Sequence, residues 1–142
     1  MSPCLYQASV PVMLRYLGRL QGLLDTAQAH AARTGRPIDD LLLARLAPDM
    51  LPLATQVVIA ANFGLRTCFP LAGHAVPAYG VFADDLDGLR ARLADVATRL
   101  QMLTPGDFEA AADRTLSSQA GDRAATPCPM HQSRRERDIA AP

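Results

Sequence analysis

Residues 44–57 read Ala44-Arg45-Leu46-Ala47-Pro48-Asp49-Met50-Leu51-Pro52-Leu53-Ala54-Thr55-Gln56-Val57, with two prolines four residues apart on either side of Asp49. Each proline drives the residue before it, Ala47 or Leu51, out of the α region. The stretch predicts a hard stop followed by a new helix. Asp49 is placed to accept backbone N–H bonds as its cap, and Pro52 in a first turn removes only a donor that lacks a partner there. Everything before this stretch supplies one long helix and one short one. Everything after it begins with the most apolar helix in the chain.

Upstream, Val10, Met13 or Leu14, Leu17, Leu20, Leu24, Ala27 and Ala31 recur at three- and four-residue steps over 5–33, the seam of a packed helix. Gly35 stands where a helix C-cap prefers glycine. Pro11, Gly18 and Gly22 are the weak points of this helix, and Pro11 with Ser9 as cap is the alternative start, which leaves 3–9 unassigned. Residues 38–46 predict a short helix, with Pro37 pre-setting its first turn and Asp39 and Asp40 at the positive end of its dipole.

Downstream, a helix is predicted over 49–69, ended by Pro70. It is apolar on nearly every side. Thr55, Asn62 and Arg66 share the wet stripe, and Gln56 shares a face with Ala60, Phe63 and Thr67 that is read as pointing inward. A loop covers 70–84. Asp84 or Asp85 then caps a helix over 85–103 with a heptad seam of Leu86, Leu89, Leu93, Val96, Leu100 and Leu103. Arg90, Arg92, Asp95 and Arg99 are assigned to its solvent side, and a possible short helix follows the Thr104-Pro105-Gly106-Asp107 turn. From Arg114 the composition changes: Leu116, Met130 and Ile139 are the only large aliphatic residues, so a disordered, dispensable tail is expected. The organisation expected is a helical domain over 1–112 and a tail over 113–142.

The composition agrees with packed helices. The chain of 142 residues is 49% hydrophobic but only 5% aromatic, whereas a β-sandwich wants β-branched and aromatic strands. The formal net charge is zero, which gives no global pull toward nucleic acid or an anionic membrane. The basic Arg134-Arg135-Glu136-Arg137-Asp138 run is interleaved with acids and carries no aromatic, unlike a nucleic-acid patch. The three cysteines, Cys4, Cys68 and Cys128, are odd in number and lack CxxC spacing, which argues for a reducing compartment. With no secretory leader and no membrane-length apolar run, a cytoplasmic location is expected.

Four stretches resemble a known bacterial family: Leu5-Tyr6-Gln7-Ala8-Ser9-Val10-Pro11, Ala44 through Leu53, Val76-Pro77-Ala78-Tyr79, and Ala91-Arg92-Leu93. It is the one catalogued as domain of unknown function nineteen ninety-three, within the DinB/YfiT-like metalloenzyme superfamily. The resemblance spans about residues 3–112. It implies an all-α, DinB-like four-helix bundle with one long crossover. It also implies a histidine triad in metal-binding members, and Gln56 stands at the triad position contributed by the central helix. The family's last segment, an aromatic-rich helix with a histidine, has no counterpart in residues 113–142, so the chain is expected to be truncated or shifted in frame there.

Candidate chemistry is sparse. His30, His74 and His131 are scattered, none is paired with a second ligand at chelating distance except in Cys128-Pro-Met-His131, and no metal or other cofactor is expected. Cys68 lies near a helix C-terminus among apolar residues, the setting of an inert core thiol. The candidate ligand-binding residues are Gln56, Arg45 and Asp49, for an unknown small molecule. No catalytic residue is assigned. Two readings stand: a non-catalytic, self-associating bundle protein, or a metal- or thiol-dependent transferase. Self-association is expected because three long helices leave one side of the apolar helix bare, and the groove between 49–69 and 85–103 is the expected contact.

Overall fold

A computed structural model describes residues 5–111, together with the backbone of residues 119–120 and 123–124. The elements are α1 (Leu5–Thr34), α2 (Ile38–Leu42), α3 (Leu53–Leu71), α4 (Leu86–Gln101) and α5 (Pro105–Ala110), then a two-residue antiparallel ladder of β1 (Gln119–Ala120) and β2 (Arg123–Ala124). The fold is all-α. The small ladder departs from an entirely sheet-free expectation, and the sequence between its strands, Gly121-Asp122, is a two-residue hairpin signal. The expected tail, 113–142, and the truncation and disorder read into it otherwise lie outside the described residues.

The three long helices pack around one core. Val10, Leu17 and Leu24 of α1 meet Val57, Ala61, Leu65 and Cys68 of α3 and Leu89, Leu93, Val96 and Leu100 of α4. All of these are within a few per cent of full burial, each large aliphatic contributing roughly 1.5–3 kcal/mol. Direction follows from the contacts between helices. Gln21 and Asp25 of α1 meet Arg90 near the start of α4, and His30 shares a hollow with Leu53 and Gln56 at the start of α3. Hence α3 and α4 both begin at the C-terminal end of α1 and run side by side against it, joined by the 72–85 crossover. Phe108 of α5 closes the other end, edge-on to Tyr6 with ring centroids 5.5 Å apart.

That contact explains one boundary. The helix starts at Leu5, as the 5–33 span has it, and the alternative start at Pro11 lies inside it. Tyr6 packs on Phe108, and the buried Ser9 hydroxyl donates back to the Leu5 carbonyl at 2.7 Å instead of capping. At the other end Gly35, at φ 66°, lets the Arg36 N–H return to the Ala31 carbonyl at 3.1 Å, the glycine C-cap expected.

The two-proline stretch works differently from the reading above. Pro48 and Asp49 form the middle of a turn closed by the Met50 N–H on the Ala47 carbonyl at 3.0 Å. Pro52, not Asp49, is the N-cap of α3. The reason is the same pre-proline rule: a helix begun at Asp49 would have to carry Leu51 through the α region that Pro52 denies it. The short helix likewise stops at Leu42 instead of 46, and Leu43 and Leu46 are left 70% and 91% exposed. At its far end α3 runs through Pro70 to Leu71, and a pair of reversed bonds closes it: Gly73 N–H to the Pro70 carbonyl and His74 N–H to the Phe69 carbonyl, with Gly73 at φ 78°.

The polar residues of α4 are half-buried clamps, not a wet face. Arg90 donates to Asp25 at 2.6 Å and to Gln28 at 2.9 Å on α1. Arg92 lies 4.9 Å from the centre of the Phe82 ring, and Arg99 donates to the Ala78 carbonyl at 3.0 Å, so both hold the crossover. Asp85 caps α4 by accepting from the Gly88 N–H at 2.8 Å. Among the described residues, no helix is long and apolar enough to cross a membrane.

Candidate functional site

The face of α3 that was read as inward is the one left open. Its buried stripe is Val57, Ala61, Gly64, Leu65 and Cys68. Gln56 is one residue, about 100°, round the helix from Val57 and is exposed, as are Ala60 and Phe63 on the same face. The groove between α3 and α4 is closed: a Cβ on Gly64 would touch Leu100 and Val96 at 3.4 Å. The expected contact groove is therefore occupied by packing. The bare apolar surface lies on the opposite flank of α3, beside α1.

Two hollows mark that flank. The larger, about 620 Å³, lies where the last turns of α1, the α2 turn region and the start of α3 converge. Its floor is aliphatic, with Leu23, Ala27, Leu41 and Leu53 among the lining residues. Its polar groups are Thr26, His30 and Arg33 from α1, Arg45 from the turn region and Gln56 from α3. Gln56 also lines the second hollow, about 400 Å³, with Met50, Leu51, Ile59, Ala60 and Phe63.

Two of the three candidate ligand-binding residues thus come together. Arg45 and Gln56 share the larger hollow; Asp49 sits in the adjoining turn and does not line it. The sequence reading missed His30 and Arg33 as their companions. The available signal was Leu23, a large leucine exposed off the α1 seam, with the half-buried Ala27 and His30 four and seven residues further along the same side. Gln56 spends one amide N–H on the Leu51 carbonyl at 2.7 Å. Arg33 Nη2 lies 3.1 Å from His30 Nδ1. A guanidinium only donates, so Nδ1 accepts and the proton of the neutral imidazole is on Nε2. Among the described residues, no carboxylate lies within ion-pair distance of Arg33 or Arg45.

A third hollow, about 440 Å³, lies at the other end of α3 between Phe69, His74, Arg99 and Asp107. Asp107 Oδ2 accepts from the Thr104 N–H and hydroxyl, each at 2.8 Å, and its Oδ1 is 3.7 Å from His74 Nε2. The backbone N–H of Thr104 first, then its hydroxyl and then His74, hold this carboxyl below the ordinary carboxylate range. Its geometry is that of a capping box for α5. Cys68 is fully buried, and burial pushes its thiol up to about 11. Among the described residues, no three His, Cys, Asp or Glu side chains are grouped to hold a metal ion.

The sequence profile of the family described as Domain of unknown function (DUF1993) matches residues 5–133. The chain belongs to that family. The matched span runs past residue 112, where the motif resemblance stops. The chain is also similar to a crystal structure of a DinB family member protein from Shewanella denitrificans, at 30% identity and a TM-score of 0.74. That likeness covers 86% of this chain and 70% of the other. No curated protein matches the chain. The DUF1993 fold is thus DinB-like here, with α3 and α4 parallel across the crossover and the Arg45–Gln56 hollow at their common starting end.

Proposed function

We propose that this DUF1993 protein is a non-catalytic, DinB-like bundle that acts as a self-associated assembly, with a second copy covering the open flank of α3. The observation that carries the reading is the cluster of Leu51, Ile59 and Phe63, which are 47%, 39% and 49% exposed around one hollow. Leu23 of α1, 58% exposed and lining the adjoining hollow that shares Gln56, extends the apolar surface. Contiguous apolar patches of several hundred Å² are rare on monomers. Covering such an area is worth on the order of 10 kcal/mol at 25 cal/mol per Å², before the cost of association. A two-fold arrangement presents each patch to itself, which needs no second protein.

The alternative, a metal- or thiol-dependent transferase, draws support from the superfamily alone. The candidate groups oppose it. His30 is beside the start of α3 and His74 follows its end, and a helix of 19 residues separates them by roughly 30 Å. The buried Cys68 thiol is raised toward 11, the reverse of an activated nucleophile. Sedimentation velocity at micromolar concentration tests the proposal. The expected result is a dimer or larger species, converted to monomer by Phe63→Glu with an unchanged helical dichroism spectrum. A wild-type monomer across the concentration range refutes it.

A further inference from the structure

We infer that the hollow between α1, α2 and α3 binds an amphipathic anion, an aliphatic chain ending in a carboxylate, through Arg33 and Arg45. The inference concerns the larger hollow and does not rest on the self-association reading.

The guanidinium groups of Arg33 and Arg45 are cations with no carboxylate partner among the described residues. His30 accepts at Nδ1, so its Nε2–H remains a donor. Gln56 has one amide N–H committed to Leu51 and a second to offer. The Thr26 hydroxyl is already given to the Gly22 carbonyl at 2.9 Å. The unspent groups are therefore mainly donors, two of them charged, and among the described residues no acid lines the hollow. A cationic ligand would meet two positive charges and find a neutral acceptor, the Gln56 Oε1. An anion complements the two charges, and a planar carboxylate suits the guanidinium fork.

The floor sets the rest of the ligand. Leu23, Ala27, Leu41 and Leu53 offer aliphatic surface, and among the described residues the ring in the lining is the His30 imidazole, which Arg33 already holds at Nδ1. That selects a flexible hydrocarbon chain over a flat heterocycle, and argues against a nucleotide although its phosphates would suit the arginines. The volume, about 620 Å³, falls in the range of small-molecule sites. The arginines reach the hollow from different elements, Arg33 from the last turn of α1 and Arg45 from the turn before α3. A head group held by both would tie the α2 segment to α1.

Isothermal titration of the full chain with decanoate, decanol and acetate tests this, with methyl NMR to locate the site. Decanoate is expected to bind with a dissociation constant below about 1 mM, and decanol and acetate at least tenfold more weakly. Arg45→Gln and Arg33→Gln should each weaken decanoate about tenfold and leave decanol unchanged, because both side chains are on the surface and outside the core. Shifts should centre on Leu23, Ala27 and Leu53. Equal affinity for decanol and decanoate, indifference to both substitutions, or shifts centred elsewhere would overturn the inference. Sedimentation of the same samples reports separately on self-association, so failure of either reading is visible without the other.

Discussion

Replacing Gly88 by alanine should destabilise the protein, although helix propensity alone says the opposite. Gly88 is the third residue of α4, and alanine in a helix is favoured over glycine by about 1 kcal/mol. Here the added Cβ would lie 1.9 Å from the Ala83 carbonyl oxygen and 2.6 Å from its carbon. Both are backbone atoms and cannot rotate away. The segment before the helix must move, and overpacking of this kind costs about 1–3 kcal/mol. The same shift pulls on Asp85, whose carboxylate caps α4 through the Gly88 N–H at 2.8 Å, a bond worth about 1 kcal/mol. It also disturbs Leu86 and Leu89, which are 7% and 1% exposed. Against the propensity gain, the net loss is about 1–3 kcal/mol. At roughly 5 °C per kcal/mol for a domain of this size, the thermal midpoint should fall by about 5–15 °C. Gly22→Ala is the control. It lies inside α1 with nothing within 4 Å of its would-be Cβ, so it should raise the midpoint by a few degrees. Thermal unfolding followed by dichroism decides the matter. A Gly88→Ala protein as stable as the wild type would refute the close approach of the Ala83 carbonyl to α4.

The Cys68 thiol should resist alkylation by iodoacetamide at pH 8 in the native protein and react at the rate of global unfolding, because it is fully buried and raised to about 11. Peptide mapping by mass spectrometry measures it, and rapid native labelling at Cys68 would contradict the packing. Asp107 is held low by Thr104 and His74, so its stabilisation is fully present above the ordinary carboxylate pKa and is lost as the pH falls through the lower folded value. Urea melts should accordingly show Asp107→Asn less stable than the wild type near pH 7, with the gap closing in strong acid. A gap of constant size down to pH 2 would assign the effect to something other than the carboxylate charge.

The helical seams were legible because each is set by residues that every packed arrangement must bury. Leu86, Leu89, Leu93, Val96 and Leu100 are buried as their heptad spacing requires, and Val10, Leu17, Leu24 and Ala31 follow the α1 seam. The caps were legible where a residue type has one conformational reason to be present, as at Gly35 and Asp85. The passage of α1 and α3 through their prolines was not. Pro11 and Pro70 are helix breakers by local rule, but Tyr6 against Phe108 and the Gly73–His74 closure supply tertiary and capping contacts that carry the helices past them. Similarly, Arg90, Arg92 and Arg99 look like solvent residues by charge, and only the position of α1 and of the crossover shows what they hold.

Gln56 shows why the site was harder to read than the fold. On a helix that is apolar almost all round, periodicity ranks the faces poorly, because every face has enough hydrophobic residues to be a core. The sequence then assigns the inside to whichever stripe contains the largest rings, here the one with Phe63. The structure assigns it by the neighbours available. With α1 and α4 as the long partners of α3, their shared contact selects the slim stripe of Val57, Ala61, Gly64 and Cys68, where Gly64 lets α4 come close. Phe63 is displaced to the open flank, stacked under the Arg66 guanidinium at 5.3 Å, and Gln56 goes with it. The same rotation that spoils the inward reading brings Gln56 beside His30, Arg33 and Arg45. The groove that collects these donors therefore exists because, among the described residues, the three long helices leave one flank of α3 uncovered. The proposed ligand site and the proposed self-association surface are neighbours on one face for that single reason.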